Sequence, residues 1–161
     1  MSAKAQALTY DFFIASTVFL LVMSVLALYW SALLKNVGES NKLNFVSTKL
    51  GQASNIWFKE GVPENWNGSN VIEIGLSSNN RINQTKVNYL VSLGAGFLAS
   101  NLALGMLNPY YRVINISNNQ TIFEFPTSLD SQEISNIYKT TRIGIWNSSL
   151  VKIETILWER K

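Results

Sequence analysis

The stretch from Phe12 to Leu34 constrains this chain most: 23 residues with no acidic or basic side chain. A helix rises about 1.5 Å per residue, and about 20 mostly apolar residues cross a bilayer core. The run meets that length. A helix lying on a soluble core usually carries a polar stripe; here only scattered Ser and Thr interrupt the apolar side chains. Tyr29 and Trp30 stand near its far end, where amphipathic aromatics mark a membrane–water interface. The run reads as a membrane-inserted helix, followed by an extramembrane domain.

The chain has 161 residues, which leaves one small domain after the helix, enough for a modest core. Net charge is +3 and thinly spread, so no basic stripe of the kind nucleic acid demands is present, and no nucleic-acid partner is expected. There is no Cys and no His. That removes the commonest metal ligand and every Ser–His or Cys–His arrangement. Asp11 and Asp130 are far apart, the Glu residues show no paired spacing, and Asp130-Ser131-x-Glu133 is too sparse for a calcium loop. Gly94-x-Gly96 lacks the rest of a phosphate-binding loop. No catalytic residue, metal or cofactor is therefore expected. Trp66, Tyr110 and Tyr111 are either core anchors or, if exposed, platforms for sugars. Asn occurs at 18 positions. Asn-x-Ser/Thr triplets at Asn67, Asn83, Asn115, Asn119 and Asn147 are a mild excess for this composition and are glycosylation candidates on an exposed domain.

After Leu34 the apolar pattern changes period. Leu43, Val46, Leu50, Ala53 and Trp57 recur at spacings of 3, 4, 3 and 4, which predicts an amphipathic helix over 42–59, stopped by Gly61 and Pro63. One helix of roughly 50 residues, kinked at Gly38, or two helices joined by a linker both satisfy this pattern. Val71–Ile74 predicts a short strand, and Ser77–Asn80 a turn. Asn83 or Thr85 caps a helix over 86–93, Gly94-Ala95-Gly96 interrupts it, and Phe97–Leu107 reads as a buried helix. Tyr110–Ile116 and Thr121–Phe125 predict strands around a turn at 117–120. Asp130–Lys139 reads as loop or short helix. Thr141–Trp146 and Leu150–Trp158 predict a hairpin across Asn147-Ser148-Ser149, with Val151 and Ile153 alternating against Lys152 and Glu154. The fold class expected is α+β, a long N-terminal helix whose amphipathic second half covers one face of a small antiparallel sheet.

Lys4-Ala5-Gln6, followed by a polar step and a long apolar helix, resembles the class III signal of archaeal type IV pilin-like proteins. The resemblance implies a leader at 1–5, cut between Ala5 and Gln6 by a prepilin-type peptidase. It implies a transmembrane and assembly helix at 6–37 and an extracellular domain at 38–161 with its helical spine at 42–59. By resemblance, Asp11 matches the acidic residue near the head of many mature pilins, one position later than the commonest register. Asp11, Phe12 and Phe13 would then meet neighbouring subunits. The simpler reading of Asp11 is a carboxylate at the membrane interface near free helix donors. The implied protein is a non-catalytic, single-pass subunit of a surface filament or secretion pseudofilament, whose partners are the membrane and other pilin-like subunits. Three alternatives stay open: a single-pass protein that binds a ligand or partner without polymerising, an anchored enzyme, and a secreted domain whose signal ends at Val25-Leu26-Ala27. The flanking charges, Lys4 before the run against Lys35, Lys42, Lys49 and Glu39 after it, oppose an extracellular C-terminal domain. The leader motif and the Asn triplets favour it.

Overall fold

A computed structural model describes residues 3–127 and 134–161, with side chains from Asp11 onward. The architecture is α+β, as expected. Helix α1 spans Ala3–Asn55 and includes Gly38. The chain divides into two compact units, Met1–Asn44 and Phe45–Lys161.

In the second unit α1 ends at Asn55, where Phe58 N–H bonds back to Asn55 O at 3.0 Å. Short strands β1 (Ser77–Ser78) and β2 (Arg81–Ile82) flank Asn79 and Asn80, both at positive φ. Asn is among the residues that tolerate this left-handed backbone region, which tight hairpins need. Helix α2 (Gln84–Asn101) follows, with Gly94 inside it at φ 82°, ψ 165°, so the expected interruption is present. Four longer strands complete the unit: β3 (Leu107–Asn115), β4 (Thr121–Phe125), β5 (Ile134–Trp146) and β6 (Ser149–Arg160). The sheet order is β1-β2-β5-β6-β3-β4. All described pairings are antiparallel except β2 with β5, which meet in parallel at Ile82 and Trp146.

Register places Tyr111 opposite Thr155 and Val113 opposite Ile153, so Tyr111, Val113, Ile153 and Leu157 share the buried sheet face. The end of α1 seats on that face. Trp57 packs against Tyr111, Phe123 and Trp146 with ring centroids 5.7–6.0 Å apart, and Tyr111 Oη donates to Ala53 O at 3.2 Å. Val46, Ala53 and Ile56 join this core.

Several sequence expectations need correction. Leu43 is 60% exposed, against 3% for Val46, because it precedes the compact unit that begins at Phe45. Val71–Ile74 makes only an isolated bridge, Val62 to Glu73. The helix expected over 97–107 stops at Asn101. Ala103 and Gly105 then adopt positive φ and the chain enters β3 at Leu107. Residues 134–139 are the first half of β5 rather than loop or helix. Asp130 and Glu133, in the rest of that segment, lie outside the described residues.

Candidate functional site

The apolar run is the most distinctive feature of the first unit. It is helical throughout, and all its large apolar side chains are exposed. Two of its hydroxyls are bonded within the helix: Thr17 Oγ1 donates to Phe13 O at 2.8 Å, and Ser24 Oγ donates to Leu20 O at 2.8 Å. Hydroxyls bonded to the preceding turn leave no unpaired donor for an apolar surround. One helix here is therefore long and apolar enough to cross a membrane. Asp11 is exposed at the head of the run, and the Phe12 and Phe13 rings meet edge to face, 6.3 Å apart. Ala5 and Gln6 fall in the first turns of the α1 backbone.

The five Asn triplets lie on the second unit. Asn83 caps α2, its Oδ1 accepting from Thr85 N–H at 2.9 Å and Lys86 N–H at 3.3 Å. Asn67 Oδ1 accepts from Ser69 N–H, and Asn115 Oδ1 from Ser117 N–H, each at 2.9 Å. Asn119 and Asn147 are exposed in turns at φ 55° and 47°.

The titratable groups of this unit form small local networks. Lys86 is buried and its Nζ donates to the backbone oxygens of Glu60 and Ser77, at 2.6 and 2.9 Å. Burial pushes its ammonium below the ordinary lysine range, and Glu60 and Glu64 pull it part of the way back. Glu154 Oε1 receives Lys139 Nζ at 2.8 Å and Lys152 Nζ at 3.2 Å. Burial pushes the Glu154 carboxyl up, but the two lysines more than offset it and leave it below the usual carboxylate range. Arg112 joins Glu124 and the Tyr110 hydroxyl. Of these, Arg112–Glu124 and Lys139–Glu154 are ion pairs across neighbouring strands, and among the described residues no group of three acidic side chains could hold a metal.

Trp66 and Tyr111 are core anchors, whereas Tyr110 is buried on the other face of the sheet, beside Arg112; Trp66 Nε1 donates to Gly75 O at 2.7 Å. Buried Lys86 left no trace in the sequence, since its position follows from a tertiary contact of α2 with residues 60 and 77. The Lys152–Glu154 pair was legible as an i, i+2 pair on one strand face. Beside β5, a cleft of about 290 Å³ is lined by Trp57, Phe58, Ser77, Asn80 and Ile82, and by Ile143, Gly144 and Ile145 of β5 itself. Comparisons with protein-family models, curated proteins and solved structures find no match to this chain.

Proposed function

We propose that this chain is a membrane-held, pilin-like subunit of an archaeal surface filament or secretion pseudofilament. It is cut between Ala5 and Gln6 and packs against like helices through Phe12–Leu34. The observation that carries this reading is that α1 holds both a fully exposed apolar run and a segment seated in a sheet core. An apolar surface of that extent needs lipid or other helices around it. Its role is assembly, without catalysis. The sheet domain lies on the outer side of the membrane, and Asp11 sits where a neighbouring amino terminus could pair with it.

The test is the mass of the mature amino-terminal peptide in protein extracted from its own membrane or filament. A start at Gln6 supports the reading. A start at Met1 or Ser2 removes pilin-type processing and leaves a plain single-pass anchor. A start near Leu28 makes the run a discarded signal. A second reading, a single-pass binding protein that does not polymerise, draws on the cleft beside β5, whose lining includes Trp57, Phe58, Ser77 and Asn80. It predicts the uncut start.

A further inference from the structure

Four of the five Asn triplets, from three separate segments of the chain, meet at one end of the sheet. Asn115 lies opposite Val151, and Ile116 N–H donates to Leu150 O at 3.1 Å, so the β3–β4 turn sits beside the β5–β6 turn. Ile82 pairs with Trp146, whose Nε1 donates to Gln84 Oε1 at 2.9 Å, bringing Asn83 to the same end. One groove of about 270 Å³ is shared by Gln84, Asn115, Ile122, Trp146, Asn147 and Ser149. The fifth triplet stands apart, on the loop near α2 where Gly68 approaches Leu93.

Surroundings separate the four. The Asn83 side chain is half-buried and already serves two N–H groups as the cap of α2. Asn115 is half-buried and folded onto Ser117 N–H. Asn119 and Asn147 are exposed at the turns, with the required hydroxyl residue two positions on, Thr121 and Ser149, opening the return strands. A bulky substituent needs an exposed amide on a surface turn.

We propose that Asn119 and Asn147 are N-glycosylated and Asn83 is not, so that this end of the sheet is sheathed in glycan. In the step, Asn Nδ2 bonds to the anomeric carbon of an oligosaccharide carried on a lipid diphosphate. The bond from that carbon to the phosphate oxygen breaks, the lipid diphosphate leaves with the electron pair, and Nδ2 gives up one proton. The inference rests on the placement of the sheet domain outside the membrane.

The test uses full-length protein purified in detergent from its own cells. Intact mass should exceed the polypeptide mass, and N119Q and N147Q should each remove one glycan's mass. Thr121→Ala and Ser149→Ala should remove the same steps while keeping each Asn. N83Q should leave the mass of attached glycan unchanged. An intact mass equal to the polypeptide alone, or glycan confined to Asn83 or Asn115, overturns the proposal. The amino-terminal peptide from the same digest keeps the two readings distinct. A Gln6 start with bare Asn119 and Asn147 overturns only the glycan assignment. Glycan at both sites on a chain starting at Met1 supports the assignment and removes pilin-type processing.

Discussion

At the scale of single residues, the tightest constraint is a backbone-to-backbone approach. A Cβ added to Gly75 would lie 2.2 Å from Gly61 N and 2.5 Å from Lys59 O. These are main-chain atoms, so no side-chain rotation relieves the clash. The same strand of chain supplies Gly75 O to the Trp66 indole, and its neighbour Leu76 donates N–H to Ile56 O at 2.7 Å. Overpacking usually costs about 1–3 kcal/mol, and occasionally more. Gly75→Ala is expected at or above the upper end, read as a fall in the urea midpoint. Gly96 offers the opposite case: it is helical, and nothing lies within 4 Å of an added Cβ. Gly96→Ala should therefore leave stability unchanged or raise it by up to about 1 kcal/mol, the ordinary helix-propensity gain. Equal effects from the two substitutions would show that the approach at Gly75 is not as close as described. No sequence pattern marks Gly75 apart from Gly96, because what distinguishes them is a contact with residues 59 and 61.

At the scale of elements, the outer face of the sheet is held by a charged cluster. Glu154 on β6 lies between Lys139 on β5 and Lys152 on its own strand, and its side chain is only 8% exposed. Its carboxyl is held below its ordinary 4.5, so the folded state binds a proton less readily than the unfolded one. The stabilisation is complete above 4.5 and is lost as pH falls through the lower folded value. Both lysines are substantially exposed, which keeps the contribution near the surface-pair range, about 1 kcal/mol. Glu154→Gln should lower stability by about that much at pH 7, with the gap to the parent closing below pH 4; a gap independent of pH removes the ionic account. Legibility in the sequence followed period. The hairpin around Asn147-Ser148 was readable because Val151 and Ile153 alternate with charged residues beside a turn-forming triplet. Residues 134–139 were not, because Ile134 and Ile137 are three apart. That half of β5 is made a strand by pairing with β6, including a register shift between Ile134 and Asn136. The reverse error at Val71–Ile74 has the same origin. β-branched residues suit a strand, but the stretch makes a single bridge, Glu73 with Val62, and no ladder. For the proposed site, the apolar run and the Asn triplets were legible, whereas the convergence of four triplets required the sheet register.

At the scale of the molecule, the two compact units have opposite relations to water. The unit Phe45–Lys161 has its own core, built on Trp57, Tyr111, Ile153 and Leu157. The unit before it exposes every large apolar side chain of its run. Burying one such side chain is worth about 1.5–3 kcal/mol, so the whole run gives a driving force of tens of kcal/mol toward lipid or other helices. This asymmetry predicts separable behaviour. A chain of residues 38–161 keeps Val46 and Ala53, the part of α1 that enters the core, together with Ile56 just after it, and loses the entire run. Its first turns, ahead of Phe45, should fray, since an isolated helix end without packing is marginal. It should sediment as a soluble monomer without detergent and unfold in one cooperative step. The full chain should need detergent, or self-associate when detergent is diluted away. If residues 38–161 are unfolded or aggregate, the run is part of the structural core of the domain. If the full chain sediments as a monomer in plain buffer, the run has found cover within its own chain, and the membrane and assembly roles both fall.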